Sequence, residues 1–276
     1  MTVMAYRRIL TIQDISCVGQ CSMTVALPIL SACGHETCIL PAAVLSTHTG
    51  GFGKPVVTNL TDHMDAIWHH WQREGITFDA IYTGYLGSIE AINAASQIFD
   101  TLLALDGKII VDPAMADHGK LYSGFDEAYA KAMTELCLRA DIMLPNITEA
   151  AMMTGMTYRE ELDEAYVQTL LEKLGGKDVV LTGASFEAGK TGAAIRSRGE
   201  VSYYFHDRIG RNFHGTGDIF ASAFTGAYMQ DKTLQQAVRI AADYTCKCIQ
   251  KTVENPAHWY GVKFETALPD LIEMLK

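Results

Sequence analysis

Short apolar runs alternate with longer stretches of helical period along most of this chain, and no other feature of the sequence constrains its fold as tightly. The short runs, rich in β-branched side chains, predict strands at residues 9–12, 38–44, 80–83, 109–112, 142–144 and 179–182. The longer stretches predict helices at residues 22–33, 62–74, 89–105, 127–139, 148–154, 162–174, 218–229 and 234–252, with one more closing the chain. Strands joined through helices form a mostly parallel sheet with helices on both faces. Residues 193–196 and 201–205 predict a β-hairpin after the last parallel strand.

Composition and charge narrow the class of protein. The chain has 276 residues, of which 49% are hydrophobic, which is enough for a single domain, residues 1–276, with a sizeable core. Its formal net charge of −10 is spread without a basic run, so we expect no nucleic-acid partner. No apolar run is long enough to cross a membrane and the N-terminus lacks a signal-peptide pattern, so we expect a cytoplasmic protein without a membrane partner. The odd count of seven cysteines favours reduced thiols.

Polar residues and glycines follow the predicted strands at the points where the strands end. These stretches are Gln13-Asp14, residues 46–51 (STHTGG), residues 84–87 (GYLG), Asp112-Pro113, Asn146 and Thr182-Gly183. Since open α/β sheets bind ligands beyond the carboxyl ends of their parallel strands, we expect a site along this edge of the sheet. Polar turn residues are common at strand ends in any case, so composition alone does not identify the ligand.

One stretch superficially matches a phosphate-binding P-loop. In residues 183–192, GASFEAGKTG, five residues separate Gly183 from Gly189, and the P-loop pattern has one residue fewer. A P-loop lysine also opens a helix, whereas Lys190 precedes an alternating, strand-like stretch. We therefore expect Lys190 to be a solvated turn residue and phosphate to bind elsewhere.

Residues 213–229, FHGTGDIFASAFTGAYM, offer the better phosphate site. From Asp218 onward, apolar residues recur at helical spacing, so Gly215, Thr216 and Gly217 form the loop before a buried helix. Unpaired amides at the start of a helix attract anions, and glycine lets a phosphate approach the backbone. Asp218 has two interpretations. It is either a helix cap and dipole partner, or a general base that takes a proton from an alcohol while the amides stabilise the transferring phosphoryl group.

Four segments together resemble the ribokinase-like superfamily of ATP-dependent kinases, and within it the pyridoxal (pyridoxamine) kinase branch. They are GTGD at residues 215–218, TGYLGS at 83–88, VDPAMAD at 111–117 and PNITE at 145–149. The resemblance extends from residue 9 to about residue 249. It implies a single ribokinase-like α/β domain that phosphorylates the 5′-hydroxyl of a B6 vitamer with ATP and Mg²⁺, commonly as a homodimer.

The resemblance also implies roles for individual residues on the phosphate side. Asp218 would be the catalytic base, and Gly215, Thr216 and Gly217 would form the anion hole. Magnesium and the ATP phosphates would be organised, largely through water, by a set of oxygen-bearing residues: Asn146, Glu149, Asp112, Asp117 and Thr182. Glu149 and Asp112 are the candidate metal ligands of this set.

For the vitamer, the resemblance points to Asp14, His48, Thr49 and Tyr85. A flat pyridine ring needs an aromatic or apolar wall with a few directed hydrogen bonds, and these residue types supply them. The glycine-rich residues 50–54, which include Phe52, are predicted to form a mobile flap that excludes water, a competing phosphoryl acceptor.

Two positions depart from the pattern of that branch. Asp14 stands where many pyridoxal kinases carry serine, and an acid there could pair with a protonated pyridine nitrogen or with an amine. We therefore expect pyridoxamine to be accepted at least as well as pyridoxal. Leu144 stands where threonine is common, and the missing hydroxyl argues against potassium dependence, although a monovalent cation stays among the cofactors that the resemblance allows.

Other classes of function fit the sequence less well. A hydroxymethylpyrimidine kinase of thiamin synthesis, on the same fold, is the nearest alternative, and a non-catalytic vitamer-binding protein would have no use for a base beside an anion hole. A nucleotide-binding oxidoreductase needs G-x-G-x-x-G after the first strand, where residues 13–24 contain only Gly19. The cysteine pairs at 17 and 21 and at 246 and 248, and the histidine-rich residues 63–71, are interpreted as structural rather than metal-binding.

Overall fold

The computed structural model describes residues 4–210, 213–255 and 257–276. Its strands are β1 (Arg8–Ser16), β2 (Glu36–Leu45), β3 (Val57–Asn59), β4 (Phe78–Thr83), β5 (Leu103–Val111), β6 (Ala116–Asp117), β7 (Lys120–Leu121), β8 (Ile142–Met143), β9 (Asp178–Thr182), β10 (Lys190–Ser197) and β11 (Glu200–Asp207). Its helices are α1 (Met23–Ala32), α2 (Thr61–Arg73), α3 (Ile89–Leu102), α4 (Glu127–Arg139), α5 (Ile147–Thr154), α6 (Glu164–Leu174), α7 (Thr216–Tyr228), α8 (Leu234–Val253) and α9 (Leu268–Leu275). Over these residues, no helix combines the length and hydropathy that a membrane crossing requires.

Nine of the strands form one sheet in the order β11-β10-β9-β8-β5-β4-β1-β2-β3. Strands β1, β2, β4, β5, β8 and β9 run parallel, whereas β3, β10 and β11 are antiparallel to their neighbours. This confirms the mostly parallel sheet and the late hairpin expected from the sequence. Because parallel strands end at the same edge, the polar residues that follow them are brought to one side of the molecule.

The two faces of the sheet carry separate hydrophobic cores. Helices α2 to α6 cover one face, where Trp68 and Phe99 are among the buried side chains. Helices α1, α7, α8 and α9 cover the other face, with Phe224 and Leu271 in its core. Burial on both faces is the reason that the parallel strands read as continuous apolar runs instead of alternating ones.

The hairpin of β10 and β11 contains the stretch that resembles a P-loop. Lys190 is the first residue of β10, and its Nζ lies 3.0 Å from a carboxylate oxygen of Asp207 on β11. The turn before it places Gly189 in the left-handed region, with φ 74°. Lys190 does not begin a helix, as its sequence context predicts, but it opens strand β10 and pairs with Asp207 instead of lying as a solvated residue in the turn.

Three differences from the sequence-based expectations have physical causes. Helix α3 ends at Leu102 and β5 begins at Leu103, whereas the predicted helix continued to residue 105, because the apolar run there keeps helical spacing. Strand β1 continues to Ser16, so Asp14 lies inside the strand, beside a bulge, and not after its end. Strand β3 and the β6–β7 hairpin, which the sequence does not predict, are too short to show a period.

Candidate active site

The tip of helix α7 lies at the edge of the sheet where the parallel strands end. The helix begins at Thr216, two residues before the predicted start, and Gly215 is its N-cap in a left-handed conformation with φ 80°. The amides of Thr216, Gly217 and Asp218 therefore lie in the first turn, where backbone N–H groups have no partner within the helix. An added Cβ at Gly217 would meet nothing within 4 Å, so the space beside the Gly217 backbone, next to these amides, is open. An anion could occupy that space.

Asp218 is the third residue of this helix and is half-buried. Withdrawal from water, together with the charge of Asp112, raises the pKa of Asp218 to about 7, although a hydrogen bond from the Ser22 amide acts in the opposite direction. The carboxyl group thus has a pKa near neutral pH, which is the range that suits a group that exchanges a proton with a substrate. A carboxylate that serves only as a helix cap does not require a raised pKa.

Asn146 and Glu149 form a reciprocal capping box at the start of α5. The Asn146 side chain accepts the Glu149 amide at 3.0 Å, and the Glu149 carboxylate accepts the Asn146 amide at 2.9 Å. The other Glu149 oxygen accepts the Met115 amide at 2.9 Å, and the Asn146 amide group donates to the Ala116 carbonyl at 2.8 Å. The two residues therefore fix the 111–117 segment against α5, which is the structural consequence of the PNITE motif.

Asp112 directly follows strand β5 and lies near this capping box. Its Oδ1 accepts the Ala114 amide at 3.1 Å, within the turn that follows β5. Desolvation and the charge of Glu149 raise the pKa of Asp112, and desolvation also raises the pKa of Glu149. Two carboxyl groups that oppose each other's ionisation in this way form a site that favours a cation.

Thr182 and Asp117 are the remaining residues predicted for the phosphate side of the site. Thr182 ends β9, and it joins Asn146 through an isolated parallel bridge and a Thr182 amide to Pro145 carbonyl hydrogen bond of 2.9 Å. Asp117 belongs to the exposed β6–β7 hairpin, where it accepts the His118 amide at 2.8 Å. Its charge still contributes to raising the pKa of Glu149, so Asp117 lies within electrostatic reach of the pair.

Among the described residues, no three His, Cys, Asp or Glu side chains form a set that could hold a metal ion directly. A hydrated Mg²⁺ does not need such a set, because it keeps most of its water and uses one or two carboxylates. Asp112 and Glu149 suit that arrangement, since both are desolvated and each oxygen of Glu149 already accepts a backbone amide. The donor set fits magnesium held mainly through water.

Asp14 and Tyr85 are joined through their backbones. The Asp14 amide donates to the Tyr85 carbonyl at 3.1 Å, and the Asp14 carboxylate accepts hydroxyl hydrogen bonds from Ser16, at 2.9 Å, and from Ser22. Asp14 is 2% exposed, and this burial raises its pKa. The structure thus places a buried acid beside the Tyr85 backbone, within electrostatic reach of Asp218.

The Tyr85 ring belongs to an aromatic stack that the sequence did not reveal. Its centroid lies 5.3 Å from the Phe125 ring, and Phe125 stacks on Tyr129 at 3.7 Å. Phe125 precedes α4 in a loop, and no periodic pattern marks it as part of a site. The stack supports Tyr85 as one wall of a pocket for a flat ring.

His48 lies between the sheet edge and the tip of α7. Its Nδ1 accepts the Gly50 amide at 3.1 Å, and its ring centroid lies 5.2 Å from that of His214, which directly precedes Gly215. Burial and the neighbouring His214 lower the pKa of His48. The neutral ring carries its proton on Nε2, because Nδ1 already accepts, so Nε2 can donate to a ligand. Thr49 is exposed, and no hydrogen bond joins its side chain to another residue in the described ranges.

The flap packs against residues from the far end of the chain. The Phe52 centroid lies 4.7 Å from Trp259 and 5.1 Å from Tyr260. An added Cβ at Gly51 would lie 2.8 Å from the Trp259 ring. Sequence reasoning gave residues 258–260 no role, and their only signal is an aromatic cluster after the last long helix.

A helix tip with unpaired amides, a carboxyl group of raised pKa beside it and desolvated acids near the ends of parallel strands are the features expected of a ribokinase-like small-molecule kinase. The sequence profile of the phosphomethylpyrimidine kinase family matches residues 56–262. The chain belongs to that family.

Solved structures and curated relatives agree with this assignment and include two kinds of kinase. Pyridoxal kinase from Lactobacillus plantarum is 31% identical, with a TM-score of 0.89 over 97% of each chain. A protein from Bacteroides thetaiotaomicron, provisionally described as a phosphomethylpyrimidine kinase and crystallised with pyridoxal, is 32% identical, with a TM-score of 0.89 over 96% of this chain and 95% of that one. Hydroxymethylpyrimidine/phosphomethylpyrimidine kinase from Bacillus subtilis is 27% identical over 199 residues, 71% of each chain. The resemblance to the ribokinase-like pyridoxal kinases is confirmed, and kinase chemistry on a vitamin-like molecule is supported.

Proposed function

We propose that this protein transfers the γ-phosphoryl group of ATP to the 5′-hydroxymethyl group of a B6 vitamer. The observation that carries the proposal is the position of Asp218, a carboxylate of raised pKa in the same helical turn as the open amides of Thr216 and Gly217. In phosphoryl transfer to an alcohol, a base takes the proton of the alcohol and an anion hole stabilises the transferring phosphoryl group, so the two are needed close together.

Asp218 accepts the proton of the hydroxymethyl group as the oxygen of that group bonds to the γ-phosphorus, while the bond from the γ-phosphorus to the β–γ bridging oxygen breaks and ADP leaves. The amides of Thr216 and Gly217 donate to the oxygens of the transferring group, where negative charge is spread in the transition state. Preorganised donors at the end of a helix need no rearrangement when that charge develops. Most of the acceleration then comes from positioning and charge stabilisation by these groups.

Asn146, Glu149, Asp112, Asp117 and Thr182 are proposed to hold the magnesium and the ATP phosphates. Magnesium would neutralise the phosphate charge, and Asp112 and Glu149 are the groups that would hold it through water. The mutual repulsion of these two acids supports this assignment, because a cation would relieve it. Leu144, which is buried, supplies no hydroxyl for a monovalent cation.

Asp14, His48, Thr49 and Tyr85 are proposed to bind the vitamer. The aromatic stack behind Tyr85 offers a wall for the pyridine ring, and His48 offers a donor through Nε2. Asp14 can pair with an amine or with a protonated ring nitrogen, which favours pyridoxamine. The flap and its aromatic partners would exclude water from the reacting groups.

Hydroxymethylpyrimidine is the second candidate substrate. The family profile and the Bacillus subtilis relative both favour it, and it carries the same hydroxymethyl group on a flat heteroaromatic ring. Its amino group could also pair with Asp14. The proposed chemistry at Asp218 is the same for either substrate.

The assembly and compartment are further parts of the proposal. We propose a cytoplasmic homodimer that has neither a membrane nor a nucleic-acid partner. Strand β3 lies at the edge of the sheet, and its first residue, Val57, and the preceding Val56 are 57% and 73% exposed. Exposed apolar side chains at a sheet edge favour association between copies, which light scattering during gel filtration would detect.

Product analysis distinguishes the two candidate substrates. Purified protein is incubated with Mg-ATP and, separately, with pyridoxal, pyridoxamine, pyridoxine or hydroxymethylpyrimidine, and the phosphorylated products are quantified by mass. We expect kcat/KM to be highest for a B6 vitamer. A higher value for hydroxymethylpyrimidine would select the alternative, and no product from any of the four would refute the kinase proposal.

A further inference from the structure

A segment near the C-terminus, residues 257–265, is tied to the loop that precedes α1 through Gln20. The Gln20 side-chain amide donates to both carboxylate oxygens of Glu265, at 2.8 and 3.0 Å. The Gln20 side-chain oxygen lies 3.2 Å from His258 Nε2, and since an amide oxygen only accepts, His258 is the donor. Three hydrogen bonds thus link residues that are more than 200 positions apart in the chain.

The loop held in this way has an unfavourable backbone conformation. Gln20 and Ser22 are both non-glycine residues with positive φ, 55° and 52°. Such conformations cost on the order of 1–3 kcal/mol each and persist only where the surroundings enforce them. The contacts of Gln20 with Glu265 and His258 are part of that enforcement.

The same loop contacts three parts of the proposed catalytic apparatus. The Gln20 carbonyl packs on the anion hole so closely that an added Cβ at Gly215 would lie 2.4 Å from it. The Ser22 amide donates a hydrogen bond to Asp218, and the Ser22 hydroxyl donates one to Asp14. A shift of this loop would therefore move the anion hole, the base and the vitamer-binding acid relative to one another.

We propose that Gln20 is a positioning residue for the phosphoryl transfer, which holds residues 19–22 in register with the tip of α7 by anchoring them to Glu265 and His258. This role rests on the proposed function of Asp218. It assigns residues 257–265 a part in catalysis although they are distant in sequence from every motif of the site. Gln20 acts through Ser22 and Gly215 and does not itself exchange a proton or a phosphate.

Exchanging the side chains of positions 20 and 265, which are of nearly equal size, tests the positioning role of Gln20. Gln20→Glu replaces two hydrogen bonds by repulsion between the introduced carboxylate and that of Glu265, and the double variant Q20E/E265Q restores an amide and a carboxylate in swapped positions. A matched control, Gln236→Glu, makes the same change at an exposed site in the first turn of α8.

We expect kcat for the alcohol to fall roughly 10- to 100-fold in Gln20→Glu, with KM for ATP within about threefold, because misplacing reacting groups affects turnover more than nucleotide binding. The double variant should recover to within about threefold of the wild-type kcat.

Fluorescence supplies a readout that does not depend on turnover. Of the three tryptophans, Trp259 is 53% exposed and lies in residues 257–265, whereas Trp68 is 4% exposed and Trp71 is half-buried. Acrylamide quenching should rise in Gln20→Glu as that segment detaches, and return in the double variant. Unchanged kcat in Gln20→Glu, or a double variant no better than the single one, would overturn the role of Gln20. Absence of turnover by the wild-type protein on every alcohol would instead refute the proposed function.

Discussion

Replacement of Asp218 by asparagine should lower activity and raise stability at the same time. Asparagine has the same shape and can still accept the Ser22 amide, but it cannot take a proton from the alcohol. We expect kcat to fall on the order of 10²–10⁴-fold with ATP binding nearly unchanged. Steady-state kinetics and nucleotide titration measure the two effects separately.

The stability gain follows from the pKa of Asp218. The folded protein raises this pKa from 3.8 to about 7, so it binds the proton more tightly than the unfolded chain does. Stability is therefore lost as pH rises from about 4 to about 7, and the loss is complete above that. A pKa shift of one unit corresponds to about 1.4 kcal/mol, so the upper limit of this loss in the free energy of unfolding is about 4 kcal/mol. Because the side chain is half-buried, we expect a loss on the order of 1–3 kcal/mol. Asp218→Asn should remove this penalty at pH 8 and much less of it at pH 5, as measured by urea unfolding.

A matched change at another helix start serves as the control. Asp62 lies exposed in the first turn of α2 and is none of the predicted site residues, and Asp62→Asn should slightly destabilise the protein by removing a favourable helix-dipole interaction. It should leave turnover unchanged. If Asp218→Asn retains wild-type kcat, or destabilises the protein at pH 8 as Asp62→Asn does, the assignment of Asp218 as a desolvated base is wrong.

Four further outcomes are expected. Gly217→Ala should fill the open space before the amides and lower kcat at least tenfold without loss of stability, since its Cβ meets no atom within 4 Å; a normal kcat would argue against the anion hole. Asp14→Ser should lower the kcat/KM ratio of pyridoxamine to pyridoxal, and an unchanged ratio would remove the role of the acid in amine recognition. Asn146→Ala should cost about 1 kcal/mol through loss of the α5 cap and raise KM for ATP, and calorimetry with kinetics separates these effects. For the wild-type protein, kcat/KM should rise with pH and level off above about 7, as Asp218 loses its proton; a flat profile between about pH 5 and 8 would contradict this.

The edge of the sheet where the candidate site lies was predictable, because the sequence patterns that indicate it are local. Continuous apolar strands, the polar residues after them and GTGD before a helical pattern all lie within short windows, and parallel strands must bring such ends together. Asp112, Asn146 and Thr182 lie along one edge of the sheet for this reason. The pKa values were not predictable, because they depend on burial and on charges that the chain brings together only when it folds.

Contacts between distant segments left no signal in the sequence. The Gln20 to Glu265 hydrogen bonds and the packing of Phe52 on Trp259 join loops without periodicity, and both ends of each contact are ordinary surface residue types or isolated aromatics. The boundary between α3 and β5 was missed for a different reason, since Leu102 and Leu103 continue one apolar run and the strand takes over through tertiary pairing with β4.

A crystal structure with a non-hydrolysable ATP analogue, magnesium and a B6 vitamer tests the central claim most directly. The account predicts that the hydroxymethyl oxygen lies within about 2.6–3.2 Å of an Asp218 carboxylate oxygen, with the terminal phosphate hydrogen-bonded to the amides of Thr216 and Gly217. A terminal phosphate bound away from the tip of α7, or a hydroxymethyl group out of reach of Asp218, would contradict it.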